Sequence, residues 1–151
     1  MTGTPPWLSA TEQQAWRSFL RMRDRLTGRL TRELLTDSGL SAADYGVLVQ
    51  LTDMPDGRQP VLELAKALEW EKSRTSHHVD RMAKRGLVAR EESAEDRRVS
   101  FVLVTQAGRD AIAAAAPRHV AAVRRLVVDA LTPAELAMLG QISDRILERL
   151  E

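Results

Sequence analysis

The sequence predicts a mainly α fold in which a small β-hairpin follows two short helices, with long helices at both ends of the chain. Three observations predict this fold. Near both ends, apolar residues recur at helical spacing. In the centre, a short apolar helix precedes a basic, hydroxyl-rich one. Next to them, residues 87–90 and 99–104 form strand-like runs around a charged segment. This order of elements is that of an α+β winged helix-turn-helix, with the hairpin as its wing.

The N-terminal part of the chain predicts two helices. Ser9 and Glu12 have the spacing of a capping box, in which each side chain bonds the other residue's backbone amide. Apolar residues then follow helical spacing up to residues 37–39, whose Asp-Ser-Gly sequence is typical of a helix stop. Ser41 begins a second helix that we expect to end near Thr52.

Two short helices and the hairpin are predicted in the centre. Residues 61–68 carry the narrow apolar stripe of a helix that lies on a core. The next helix starts after Trp70 and is expected to end at Gly86, since glycine is the usual residue just beyond a helix end. Segment 91–98, between the two strands, is too long and too charged for a tight turn, so we expect it to protrude into solvent.

The C-terminal part predicts two further helices. Thr105 is expected to cap a helix that runs to residue 116, and the pattern leaves open whether Pro117 kinks or ends it. Thr132 with Pro133 and Glu135 then supplies the start of a final amphipathic helix. Its apolar side is formed by Leu136, Leu139, Ile142, Ile146 and Leu150.

Positive charge is concentrated on the helix after Trp70. The whole chain has a net charge of only +1, but residues 72–85 include five basic residues and one acidic residue. A helix fits the major groove of B-DNA, and its first turns usually meet the base edges. We therefore predict binding of double-stranded DNA, with Arg74 bonding guanine O6 and N7, and with Arg85 near phosphates. The residues of this helix predicted to contact DNA are Lys72, Ser73, Arg74, Ser76, His77, Arg81 and Lys84.

The predicted wing carries the sequence Asp96-Arg97-Arg98. An arginine near a loop tip can enter the minor groove, where narrow A·T stretches have an enhanced negative potential. We expect Arg98 to take this role and Asp96 to hold its guanidinium through a two-point pair. Arg97 is included among the predicted DNA contacts.

Other functional classes lack support in the sequence. No nucleophile elbow, phosphate-binding glycine loop or dinucleotide fingerprint is present, so we predict no enzymatic activity and no cofactor. There is no cysteine, His77 and His78 are adjacent, and His119 is distant, which predicts no metal site. No apolar run approaches the ~20 residues of a membrane span. Residues 1–6 lack the features of a secretory signal, and we expect a cytoplasmic protein.

The chain resembles the MarR family of bacterial transcription regulators over nearly its whole length. The resemblance implies a triangular dimer with interlocked terminal helices, two winged domains on a pseudo-palindromic operator, and repression of nearby genes. Release by cysteine oxidation, found in part of the family, is closed to a chain without cysteine. The residues that carry the resemblance are Leu64-Ala65, Trp70 to Arg74, His77-His78, Arg81-Met82, Arg85 to Val88, Asp96 to Arg98 and Val104 to Gly108.

The resemblance also implies an effector site between the dimerisation helices and the DNA-binding lobe. The effector would be a small aromatic or lipophilic molecule. Trp7, Trp16 and Tyr45 fall in the right segments to line such a pocket. Because a tryptophan on an amphipathic helix more often belongs to a core or a dimer interface, both interpretations stay open.

We predict three regions: an N-terminal dimerisation helix region at 1–40, a winged helix-turn-helix DNA-binding domain at 41–105, and C-terminal dimerisation helices at 106–151. The long apolar stripes of the terminal helices predict a homodimer, since a second copy supplies the surface that covers them. One alternative function stays open, a winged-helix protein-interaction or structural module without specific DNA recognition.

Overall fold

The computed structural model describes residues 6–151. Within this range the chain forms six α-helices and three β-strands, with a short 3-10 turn at Val128–Ala130. Residues 1–5, on which the expected lack of a secretory signal mainly rests, lie outside the described part. The elements are α1 Ala10–Ser38, α2 Ala42–Thr52, β1 Arg58–Pro60, α3 Val61–Ala67, α4 Lys72–Lys84, β2 Val88–Glu92, β3 Ser100–Val104, α5 Gln106–Leu126 and α6 Pro133–Leu147.

The predicted helix starts are confirmed by their capping bonds. At α1, Ser9 Oγ accepts from the Glu12 amide at 3.3 Å, and a Glu12 carboxylate oxygen accepts from the Ser9 amide at 2.7 Å. Reciprocal bonds of the same kind begin α2 and α6. Helix α1 ends at Gly39, whose φ of 71° is readily adopted by glycine. These interactions are local, which is why sequence spacing predicts them well.

The sheet has three strands, whereas the sequence predicted a two-stranded hairpin. Strands β2 and β3 form that hairpin, and β1 pairs antiparallel with the other edge of β3, with Arg58 opposite Leu103. Strand β2 also runs further than expected, so the turn of the wing occupies residues 93–99 rather than 91–98. The structure therefore corrects the hairpin prediction in strand number and in turn length.

The core lies between α2, α3, α4, β3 and α5. Its fully buried side chains include Leu48, Leu51, Leu64, Val79, Met82 and Val102. Helix α5 begins against the loop that follows α4, because Thr105 Oγ1 donates to the Gly86 carbonyl at 2.6 Å. A Cβ at Gly108 would overlap the Leu87 carbonyl oxygen, so this approach requires glycine. Pro117 does not end α5, which continues to Leu126.

The terminal helices leave apolar side chains exposed. Every residue of α6 is exposed, including Leu136, Leu139, Ile142 and Ile146 of the predicted apolar side, and Leu150 is exposed beyond the end of the helix. On α1, Trp16, Phe19 and Met22 are also exposed. Together α1, the end of α5 and α6 enclose an apolar groove of about 1220 Å³. Among residues 6–151, no helix has the length and apolar character needed to cross a membrane.

Candidate nucleic-acid interface

Helix α4 packs one face against the core and exposes the other. Thr75, Val79 and Met82 are buried and lie three or four residues apart, which is the spacing of one helical face. His78 is buried as well, a position that the sequence analysis did not assign to the core. It lies three residues after Thr75 and four before Met82, so the same periodicity contains the signal.

Six of the seven DNA contacts predicted on α4 lie on its exposed face. The exception is Ser76, which is half-buried and whose Oγ accepts a hydrogen bond from Arg90 Nη2 at 2.7 Å. Arg90 belongs to β2, and the sequence analysis did not single it out. The exposed members of the predicted set are Lys72, Ser73, Arg74, His77, Arg81 and Lys84.

The side chain of Arg74 is stacked on Trp70. The guanidinium carbon lies 4.4 Å from the centroid of the indole ring, within the range of a cation–π contact. The same indole packs nearly perpendicular to the ring of His78, with 5.6 Å between ring centroids. Trp70 therefore contacts both an exposed arginine and a buried histidine of α4, which limits the directions that Arg74 can take.

Behind the exposed face, Asp44 of α2 binds two residues of the α4 region. Its Oδ2 accepts a hydrogen bond from Arg85 Nη1 at 2.7 Å, and its Oδ1 lies 2.9 Å from His78 Nε2. Arg85 also donates to the Gly39 carbonyl at 3.3 Å. The sequence analysis assigned Arg85 to phosphates. The structure instead uses this side chain to connect the ends of α1 and α4 to α2.

The protonation of His78 follows from its neighbours. Arg81 Nη2 lies 3.1 Å from His78 Nδ1, and since a guanidinium can only donate, Nδ1 must accept. The ring proton is therefore on Nε2, facing Asp44, although that contact is poorly aligned and leaves Nε2 without a hydrogen bond of good geometry. Burial lowers the pKa of His78, against the opposing effect of the Asp44 charge. We conclude that the ring is neutral at neutral pH.

The pKa of Asp44 is lowered for a different balance of reasons. Burial alone would raise it, but the hydrogen bond from Arg85, the backbone bond at Ser41 and the charge of Arg85 together outweigh that effect. Asp44 is thus an ionised, buried carboxylate held by cationic and backbone donors. Such a group fixes α4 relative to α2, because removing one partner would leave a buried charge.

At the wing, Asp96 holds Arg98 as the sequence analysis expected. Arg98 Nε lies 3.1 Å from Asp96 Oδ1, and Nη2 lies 3.3 Å from Oδ2. The side chain of Arg98 is 91% exposed. The hydrogen bonds from Arg98 lower the pKa of Asp96. The turn itself is closed by Ser93, whose Oγ accepts from the Asp96 amide at 3.3 Å, and Arg97 beside it is exposed.

The three residues predicted to line an effector pocket do not lie in one cavity. Trp7 is 89% exposed, Trp16 stacks on Phe19, and Tyr45 packs on the ring of His119. Within residues 6–151, the apolar groove and a small cavity between α1 and α5 are lined by other side chains. Burial raises the pKa of Tyr45. The pocket assignment thus stays a prediction.

Within the same described range, no group of three or more histidine and acidic side chains has the geometry of a metal site. The exposed side of α4 and the wing instead carries cations and hydrogen-bond donors, alongside acidic residues such as Asp80 and Glu95. Cations and donors of this kind bind phosphate oxygens and base edges.

Comparisons with known proteins agree with this geometry. The sequence model of the MarR family matches residues 38–99, from the end of α1 to the turn of the wing. Transcriptional regulator HosA of Escherichia coli is 32% identical over 108 residues, which cover 72% of this chain and 76% of that protein.

Two crystal structures from Streptomyces coelicolor match over nearly the full length. The MarR family transcriptional regulator AbsC is 39% identical with a TM-score of 0.91, covering 96% of this chain and 97% of that one. Sco3205, a MarR family regulator solved in complex with DNA, is 39% identical with a TM-score of 0.94, covering 99% and 94%. The wing, the basic helix and these similarities together establish that the chain belongs to the MarR family of transcriptional regulators.

Proposed function

We propose that the chain acts as a homodimer that binds a pseudo-palindromic operator and represses nearby genes. The observation that carries this proposal is the placement of Arg98, a cation that is 91% exposed and is held by Asp96 at the wing, next to a helix whose exposed face is basic. Two adjoining cationic elements suit two adjoining grooves of one duplex. The Sco3205 structure, solved with DNA, supports this use of the fold.

In this proposal α4 enters the major groove. Arg74 bonds a guanine edge, and its stack on Trp70 holds the guanidinium ready for that contact. Lys72, Ser73 and His77 meet neighbouring bases or phosphates. Ser76 retains its O–H as a donor, because its Oγ is an acceptor towards Arg90. Arg81 and Lys84, which lie one and two turns beyond His77, bind phosphates.

The wing enters the adjacent minor groove. Arg98 supplies the inserted guanidinium, Asp96 orients it, and Arg97 contacts the backbone beside it. A narrow minor groove has a strong negative potential, so this contact favours A·T-rich flanks. The DNA-binding domain at 41–105 includes both elements.

The dimer would form through the terminal regions at 1–40 and 106–151. The apolar groove between α1 and α6 is lined by Met22, Met138 and Ile142, among others, and helices of a second copy would cover these side chains.

An effector remains part of the proposal. A small aromatic or lipophilic molecule that binds near Trp7, Trp16 and Tyr45 would release the DNA. Trp7 and Trp16 are exposed, so they could equally contact a second copy of the chain at the dimer interface. The family consists of transcription regulators, so we propose that the chain has no enzymatic activity. We also propose that it acts on DNA in the cytoplasm.

Salt dependence of binding to duplex DNA tests the function. Labelled duplexes from the region upstream of the chain's own gene would be titrated with the protein at several salt concentrations. We expect the logarithm of the binding constant to fall linearly with the logarithm of the salt concentration, with a slope of about −0.9 per phosphate contact. We also expect a preference of at least about 10³-fold for one operator over other sequences. A flat salt response without sequence preference would favour the alternative, a winged-helix protein-interaction or structural module.

A further inference from the structure

Arg90 connects the wing to the recognition helix. Its Nη2 donates to the Ser76 carbonyl at 2.8 Å and to Ser76 Oγ at 2.7 Å, and its Nε lies 2.8 Å from Asp80 Oδ1. Its Nη1 donates to Ser100 Oγ on β3 at 3.4 Å. All three guanidinium nitrogens are therefore used, and they join α4, β2 and β3.

The position of Arg90 in β2 explains why it can make these contacts. Side chains two residues apart in a strand share a face, so Arg90 lies on the same side of the sheet as the buried Val88, facing α4. Its side chain is only 28% exposed, compared with 91% for Arg98. Arg90 is thus bound to α4 and β3, whereas Arg98 is presented to solvent.

We propose that Arg90 is a positioning residue that fixes the angle between the wing and α4. Arg98 then reaches the minor groove in register with Arg74 in the major groove. The inference rests on the proposed function of these two arginines and deepens it, by naming the side chain through which they act together.

The physical reason lies in the weakness of an isolated hairpin. A two-stranded hairpin is marginally stable by itself, and the turn at 93–99 extends beyond the third strand. A wing that swings freely must be ordered when DNA binds, and that ordering reduces affinity. A guanidinium bound at four points to α4 and β3 removes this freedom before DNA arrives.

The competing explanation is that Arg90 is itself a phosphate contact. The two explanations predict opposite signs for Asp80→Ala, which removes an anchor of Arg90 and keeps the arginine. If Arg90 positions the wing, DNA affinity falls. If Arg90 binds phosphate, losing a nearby negative charge and a competing partner raises affinity. Glu91→Ala is the matched control, since it removes the same charge from an exposed position of β2.

The first experiment needs no DNA. Amide hydrogen exchange of residues 93–99 would be compared in the full-length unmodified protein, Asp80→Ala, Arg90→Ala and Glu91→Ala. We expect exchange to accelerate by about two- to fivefold in Asp80→Ala, and by more in Arg90→Ala, with no change in Glu91→Ala. Thermal unfolding checks that each variant is folded. Equal wing exchange in all four proteins would overturn the inference.

The second experiment measures operator affinity in the same proteins, with Arg98→Ala added as a background. We expect Asp80→Ala to bind on the order of fivefold more weakly than Glu91→Ala, and this difference to vanish when Arg98 is absent. An additive loss, or tighter binding by Asp80→Ala, would overturn the positioning role. If the unmodified protein bound no duplex at all, the proposed function would fail, while the exchange result would still decide whether Arg90 holds the wing.

Discussion

Asp96 and Arg98 form a two-point ion pair at the tip of the wing, with contacts of 3.1 Å and 3.3 Å between their charged groups. The Arg98 amide adds a third bond to Asp96 Oδ1 at 3.0 Å. An exposed pair of this kind contributes little to stability because water solvates both ions well. Its consequence is instead geometric, since it points a mobile cation in a fixed direction.

Replacing Arg98 with alanine is expected to lower operator affinity by about tenfold or more, because the minor-groove cation is lost. Asp96→Ala should have a smaller effect, since the arginine stays but is no longer oriented. Arg97→Ala is the control for removing one exposed positive charge from the same turn. Fluorescence anisotropy with a labelled operator measures all three. Equal affinities for Arg97→Ala and Arg98→Ala would contradict the assigned role of Arg98.

The Arg74→Ala variant is expected to lose base discrimination. A two-point contact to guanine distinguishes bases by about 1–3 kcal/mol, so substitution of that base pair should matter to the wild type and not to the variant. Lys84→Ala provides the comparison, because loss of a phosphate contact weakens binding to all sequences and reduces the salt slope by about one. Unchanged discrimination in Arg74→Ala would remove the residue from base recognition.

Acid is expected to destabilise the protein through His78. Asp44, Arg74, Arg81 and Trp70 surround the ring, and burial lowers its pKa below the ordinary value of about 6.5. The unfolded chain therefore binds a proton at His78 more tightly than the folded chain does. The contribution of neutral His78 to the free energy of unfolding is fully present above about pH 6.5, and it is lost as the pH falls from there through the pKa of His78 in the folded protein.

Melting curves between about pH 7.5 and about pH 5.5 test this sign. We expect the midpoint of the unmodified protein to fall by about 2–4 °C more than that of His78→Gln, which has no proton to gain at this position. The exposed His77 on the same helix supplies the control, and His77→Gln should keep the pH response. A steeper acid response in His78→Gln than in the unmodified protein would contradict the account.

A charge placed on the apolar side of α6 should dissociate the proposed dimer. Ile142→Asp puts a carboxylate where a second copy would cover the side chain, and burying an unpaired charge is strongly unfavourable. Ala137→Asp adds the same charge on the other side of α6 and should leave the dimer intact. Analytical ultracentrifugation distinguishes the two species. A dimer that survives Ile142→Asp would place the interface elsewhere.

Two glycine substitutions compare a position without room for a Cβ, Gly108 at the start of α5, with a position that has room, Gly46 in α2. Gly108→Ala would place a Cβ against the Leu87 carbonyl oxygen, and we expect destabilisation of about 1–3 kcal/mol. Gly46→Ala in α2 meets only an ordinary contact of 3.7 Å with Leu68, so it should stabilise the helix by about 0.5–1 kcal/mol. Chemical denaturation measures both. Equal stability of the two variants would mean that the loop after α4 can move away from α5.

Sequence patterns predicted the features that depend on neighbours in the chain. The capping pair of Ser41 and Asp44 is three residues apart, and the wing pair of Asp96 and Arg98 is two apart, so both are visible in the sequence. Strand β1 gave no such signal. It is three residues long, ends in Pro60, and exists because β3, far along the chain, offers a free edge.

Tertiary pairings explain the remaining differences. The carboxylate of Asp44 is spaced to cap α2 together with Ser41, and the fold also brings Arg85 and His78 to it from distant parts of the chain. Arg85 is held at Asp44 while its side chain stays 47% exposed. Alternation along β2 did contain a signal for Arg90, because an arginine on the core side of a strand must find polar partners.

Footprinting of the protein on the DNA upstream of its own gene tests the central claim most directly, that α4 and the wing of each subunit of the proposed dimer occupy neighbouring grooves. The account predicts two protected half-sites whose centres lie about one helical turn apart, roughly 34–36 Å, with outer minor-groove protection that disappears in Arg98→Ala. Uniform protection without half-sites, or a footprint that is unchanged in Arg98→Ala, would contradict it.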